Sequence, residues 1–129
     1  MSTIRKFEDL EIWKLSRDIC NDINMLIRST PLEKDFKLKE QINGSSGSIM
    51  DNIAEGFERN GNKEFKQFLS IAKGSCGETR SQLYRIKDRE YINDQKFNDL
   101  IEKTIELSNK IGSFISYLNK TEFKGHKYK

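Results

Sequence analysis

Few side chains in this chain are spaced for chemistry. Glu55 and Arg59 stand four residues apart, and Asn52 precedes Glu55 by three. On a helix that spacing places all three on one flank, with the acid on the favourable N-terminal side of an i, i+4 pair. The trio admits three readings: a catalytic carboxylate, an interhelical polar network reaching Glu78 or Arg80, or a solvated face. Nucleophilic chemistry lacks its base. The thiols Cys20 and Cys76 form no CxxC pair, and the one histidine, His126, lies near the C-terminus. A thiol needs a neighbouring base or cation to act. Carboxylate-bridged di-metal bundles need Glu-x-x-His pairs on their helices, and none is written here. No phosphate-cradling Walker loop or dinucleotide fingerprint occurs. The expectation is therefore a chain with no metal centre and no cofactor, and not an enzyme.

The elements that position these residues are helical. Charged side chains make up 33% of the chain and apolar ones 35%, a balance that suits amphipathic helices with solvated outer faces. A first helix is expected from Phe7 to Ser29. Ile12, Leu15, Ile19, Ile23 and Leu26 form one apolar stripe, and Trp13, Cys20 and Ile27 form a second beside it. That second stripe faces a neighbouring subunit or widens the internal core; the spacing allows both. Pro31 ends the helix. A second helix runs from Lys34 to Arg59, straight through Gly44-Ser45-Ser46-Gly47-Ser48. That run has a linker's composition, yet Ile42 and Ile49 flank it seven residues apart, two helical turns on the same face. Asn60-Gly61-Asn62 makes a turn, with Asn62 as the cap of a third helix, Lys63 to Arg89. A fourth starts at the cap Asn93 and continues to Leu118. No strand alternation competes, so the fold class is all-α, an antiparallel up-down four-helix bundle. Residues 1–120 form the single domain, and 121–129 a basic, flexible tail.

Gly44, Gly47, Gly74 and Gly77 all fall inside these helices. Each costs about 1 kcal/mol relative to alanine. Close helix packing offsets such a cost, so Gly44, Gly47 and Ser48 are expected to meet Gly74 and Gly77 across a hairpin centred on Gly61.

Net charge is only +3, but it is unevenly spread. Residues 61–92 carry seven basic and four acidic side chains, and residues 119–129 four lysines and one glutamate. Lys73, Arg80, Arg85, Lys87 and Arg89 are a candidate phosphate-binding surface. Lys120, Lys124, Lys127 and Lys129, interleaved with Phe123 and Tyr128, are a second. The plain alternative is an ordinary helix surface with a solubilising tail. The N-terminus has no signal-peptide core and no apolar run spans a membrane, which gives a cytoplasmic expectation.

The runs QINGSSGSIMDNIAEGFER and NKEFKQFLSIAKGSCGETRSQLY, with the opening FEDLEIWKLSRDI, resemble the 23S rRNA intervening-sequence (S23-like) protein family. The resemblance extends from Phe7 to about Leu118. Asn52, Glu55 and Gly56 stand in its NIAEG motif, followed by Arg59. Gly74, Ser75 and Glu78 stand in its GS-x-x-E motif. It implies a left-handed bundle assembled as a homopentamer, a non-catalytic protein associated with RNA or another nucleic acid. A related branch, the accessory proteins of diversity-generating retroelements, implies an alternative: a scaffold for a protein partner such as a reverse transcriptase. One departure stands out. Many relatives carry paired arginines where Asn43 and Gly44 stand here, and two phosphate contacts go with them.

Overall fold

The computed structural model describes residues 4–120. Among them there are four α-helices and two short 3-10 turns, and no strand. The helices are α1 (Glu11–Ser29), α2 (Phe36–Glu58), α3 (Asn62–Asp88) and α4 (Asp94–Lys120). The basic tail, with Lys124, Lys127 and Lys129, lies outside the described residues. The first helix starts later than expected. Phe7–Asp9 is a separate 3-10 turn, and extended backbone at Leu10 divides it from α1. At the other end, Thr30 donates to the Leu26 carbonyl at 2.7 Å and accepts from the Leu32 N–H at 3.2 Å. Pro31 then opens the second 3-10 turn and drives Leu32 into the core.

The core follows the expected stripes. Ile12, Ile19, Ile23 and Leu26 of α1 meet Leu38, Ile42, Ile49, Ile53 and Phe57 of α2. Phe65, Leu69, Ala72, Cys76, Leu83 and Ile86 of α3 and Leu100, Leu107, Ile111 and Leu118 of α4 complete it. Each leucine, isoleucine or phenylalanine among them contributes roughly 1.5–3 kcal/mol on leaving water. Trp13 and Ile27 are half-buried against this core, and Trp13 sets its ring edge-on to Phe7 at 5.1 Å between centroids.

Cross-helix pairs fix the directions. Ser48 meets Ser75 and Gln41 meets Arg85 between α2 and α3. Asn119 meets Lys66 and Asp94 meets Lys87 between α4 and α3. Glu11 meets Lys110 and Asp22 meets Lys103 between α1 and α4. In each pair of helices one number rises as the other falls, the antiparallel arrangement that an up-down bundle requires.

α2 passes through the Gly/Ser run unbroken. The reason differs from the expected glycine packing. Cβ atoms added at Gly44, Gly47, Gly74 or Gly77 would meet nothing within 4 Å. These glycines sit on the backs of α2 and α3, a quarter- to half-turn from the apolar stripes. The expected height was right, since Ser48 and Ser75 are bonded at 3.0 Å, but the face was not. Close approach occurs instead at Gly56, where an added Cβ would lie 2.7 Å from the Phe68 Cβ and 3.1 Å from Phe65 Cδ1.

The turns also differ in detail. Gly61, at φ +94°, occupies the cap position of α3. Asn62 lies inside the helix and donates to the Leu118 carbonyl at 3.2 Å; it ties α3 to α4 rather than capping. Asn93 caps as expected, its side-chain oxygen accepting from the Lys96 N–H at 2.8 Å.

Candidate functional site

The motif residues of α2 and α3 form a polar layer across the helix pair. Asn52 donates to the Ser48 carbonyl at 2.8 Å and to its hydroxyl at 2.9 Å, and Ser75 donates to that hydroxyl at 3.0 Å. One turn further on, Ser45 lies 2.8 Å from the Thr79 hydroxyl and donates to Gln82 Oε1 at 2.6 Å. Gln82 reaches back to Glu78 at 3.4 Å. Ser45, Thr79 and Gln82 are all buried. An unpaired polar group in such a place costs about 1–3 kcal/mol, and among the described residues no buried side-chain nitrogen or oxygen lacks a partner. The buried donors and acceptors of the layer are thus partnered, by one another and by the helix carbonyls of Ile42 and Ser75.

Glu55 and Arg59 pair at 2.7 Å on the exposed flank, with Glu64 at 3.9 Å from the same guanidinium. Arg59 also lies over the Phe68 ring at 5.2 Å. The expected network is therefore split. Asn52 joins Ser48 and Ser75, whereas Glu55 and Arg59 bridge α2 to the start of α3.

Both thiols donate to backbone carbonyls: Cys20 to Ser46 at 3.1 Å and Cys76 to Thr104 at 3.2 Å. Burial raises the Cys20 pKa, and burial pushes Cys76 up to about 11, against the pull of Arg80 and Lys73. They are held as thiols, the unreactive form. Cys20 bonds inward to α2, and Trp13 and Ile27 pack half-buried against the core. Among the described residues no group of three or more His, Cys, Asp or Glu is placed to hold a metal ion. No helix among them is long and apolar enough to cross a membrane.

The predicted basic surface divides in two. Arg85 and Arg89 point to α2, where Arg85 donates to Gln41 at 2.9 Å and Arg89 pairs with Asp35. Lys73, Arg80 and Lys87 follow the other flank of α3, along α4. Lys66, absent from the expected set, joins them. These four recur every seven residues, about 10 Å per step on a helix. Lys66 donates to Asn119 at 2.9 Å. The Lys73 stem lies 3.4 Å from where a Gly112 Cβ would stand. Continued by helical repeat, that register sets Arg80 opposite Ile105 and Lys87 opposite Asn98. The facing line on α4 is uncharged: Asn98, Ile105, Gly112 and Asn119. Lys87 pairs with Asp94 at 2.7 Å at the start of α4, while Lys73 and Arg80 join no ion pair among the described residues. Lys120 closes α4, exposed.

The acids of α4 other than Asp94 lie on its other side. Asp99, Glu102 and Glu106 line a groove of about 310 Å³ with Asp22 of α1 and two lysines. Lys103 there bridges Asp22 at 2.6 Å and Asp18 at 3.1 Å. An apolar cleft of about 480 Å³ opens near Ile4, Leu10 and Phe114. Both lie apart from the motif residues of α2 and α3.

Four helices whose central pair is joined by a buried hydroxyl-amide layer, with a cation row on the next seam, define an all-α four-helix protein. The family model for the 23S rRNA-intervening sequence protein matches residues 8–113, and the chain belongs to that family. A crystal structure of a protein of unknown function from the S23 ribosomal protein family of Bacteroides thetaiotaomicron VPI-5482 is similar, with a TM-score of 0.71 and 25% identity. It covers 81% of this chain and 97% of that one. No curated protein matches this chain.

Proposed function

We propose that this chain is a non-catalytic, RNA-associated cytoplasmic protein that works as a homopentamer of left-handed up-down bundles. The observation that carries the nucleic-acid reading is the α3–α4 seam, where Lys73 and Arg80 face an uncharged line of α4 and, among the described residues, pair with no carboxylate. Cations left free on a low-charge surface draw phosphates, and five copies focus a field that one copy cannot. Family membership supports the RNA reading through the family's name.

The glycine faces support assembly. Gly44, Gly47, Gly74 and Gly77 cost several kcal/mol in all at about 1 kcal/mol each, and nothing among the described residues fills the space they leave. A helix of a second copy laid on this face would offset that cost. Ile71 on the same side of α3 is 52% exposed and would be covered.

Fluorescence anisotropy with labelled RNA across a salt series tests the first part. Affinity should fall steeply with salt; no binding at low ionic strength refutes it. Light scattering tests the second, with five 15.1 kDa chains expected. Gly47→Leu with Gly74→Leu should lower that mass while helix content holds. A partner captured only as protein from nuclease-treated extract would favour the scaffold alternative.

A further inference from the structure

We infer that the α3–α4 seam binds a single-stranded polynucleotide lengthwise, with phosphates on Lys66, Lys73, Arg80 and Lys87 and a base stacked on Tyr84. The inference rests on the nucleic-acid reading above and narrows it to one strand on one seam.

Three observations combine. First, the cations form a straight line. Seven residues are nearly two whole turns, so the four charges drift little around α3 over roughly 30 Å of helix. A linear row follows one backbone. Second, α4 opposes the row with Asn98, Ile105, Gly112 and Asn119, in register. Gly112 leaves room beside Lys73, and among the described residues no acid of that facing line repels a phosphate at Lys73 or Arg80. Asp94 holds Lys87 at one end, and a phosphate can replace this exposed carboxylate on the half-buried lysine.

Third, an aromatic ring stands in the same seam. Tyr84 is 51% exposed, and Phe97 of α4 holds its ring edge-on at 4.9 Å between centroids. It sits between Arg80 and Lys87 in the chain. A buttressed ring with a free face beside phosphate-binding cations is what base stacking requires. Duplex bases have no free faces to offer along their length, so Tyr84 discriminates in favour of a single strand. An acidic polypeptide would satisfy the cations but make no use of the ring.

The test uses the full chain, a labelled 20-nucleotide single strand in RNA and DNA forms, the same RNA annealed to its complement, and polyglutamate as competitor. Lys73→Glu with Arg80→Glu should weaken single-strand binding and flatten the log–log salt slope by about 1.4, at roughly 0.7 per phosphate contact. Lys14→Glu with Arg28→Glu, an equal charge change on exposed α1 positions, should leave the slope in place. Tyr84→Ala should weaken single-strand binding about tenfold or more and leave duplex binding unchanged, while Tyr84→Phe retains affinity. The RNA and DNA arms distinguish the two sources of the strand. If the α1 control weakens binding equally, or Tyr84→Ala has no effect, the seam is refuted while salt-sensitive binding keeps the broader reading. Duplex bound as tightly as single strand, or displacement by polyglutamate at equal charge, also refutes it. No salt-sensitive binding at all overturns both.

Discussion

Gly56 shows what a single missing Cβ does. It lies on the α2 face that meets α3, and an added Cβ would stand 2.7 Å from the Phe68 Cβ, closer than side chains can pack. Gly56→Ala should therefore cost about 1–3 kcal/mol by overpacking, seen as a lower urea midpoint. Gly112 gives the opposite sign. Its nearest neighbour would be the Lys73 Cε at 3.4 Å, the end of a flexible side chain. Gly112→Ala should be neutral or stabilise by up to about 1 kcal/mol through helix propensity. Equal effects at the two positions would refute the geometric account. Cys76 is a second test at this scale. With its pKa raised to about 11 by burial, only about a thousandth of it is thiolate at pH 8, against roughly a quarter of a free thiol with a pKa near 8.5. In a Cys20→Ser background, labelling by a disulfide reagent should proceed at the unfolding rate. Rapid labelling of the native protein at pH 8 would contradict the buried thiol.

Elements hold together through polar layers as well as apolar stripes. Ser45→Ala removes the donor to Gln82 Oε1 and strands that oxygen inside the α2–α3 interface. The expected loss is about 1–3 kcal/mol, with an unchanged denaturant slope. Paired with Gln82→Leu, the two changes should be less than additive. The end of α3 supplies a gain instead. Tyr91 N–H bonds to the Ile86 carbonyl and Glu90 N–H to that of Lys87, with Glu90 at φ +61°. This is a Schellman cap with glutamate where glycine is favoured. Glu90→Gly should raise stability by roughly 1 kcal/mol, read as a higher thermal midpoint. The apolar phase of α2 was legible because Ile42 and Ile49 repeat every two turns, and a continuous helix followed. The role of its small residues was not legible. A glycine has no side chain to mark its face, and a serine reads alike as small and as a hydrogen-bonding group. Helical phase alone would have set Gly44 and Gly47 off the Ile42–Ile49 line. The seven-residue spacing of Lys66, Lys73, Arg80 and Lys87 was equally available. Grouping cations by nearness in sequence drew in Arg85 and Arg89, which belong to the α2 flank. Glu90 gave no signal, since a left-handed glutamate is set by its tertiary surroundings.

At the scale of the whole molecule, one clasp joins two turns at the same end. Asp35 sits between the Pro31–Lys34 turn and α2, and accepts from Tyr91 at 2.9 Å and from Arg89 beyond the end of α3. The connection between the first two helices is thereby tied to the connection between the last two, and a loop that would otherwise fray is held to the bundle. The bonds from Tyr91 and Arg89 lower the Asp35 pKa below its ordinary 3.8, and the bond to Asp35 raises the Tyr91 pKa above its ordinary 10.0. The signs follow from linkage. A carboxylate with a depressed folded pKa stabilises above its unfolded value and loses that stability as pH falls through the folded one. A phenol with a raised folded pKa stabilises below its unfolded value and loses it as pH rises through the folded one. The clasp is therefore intact across the neutral range and weakens at both extremes. In thermal melts against pH, Asp35→Asn should flatten the decline below about pH 4. It should flatten the alkaline decline above about pH 10 as well, because Asp35 is the first cause of the Tyr91 shift. Tyr91→Phe should flatten the alkaline limb and leave part of the acid limb, which Arg89 still supports. The differences should shrink at high salt, as for any ion pair near the surface. Acid limbs of equal slope in wild type and Asp35→Asn would show that the two turns are not coupled through this carboxylate.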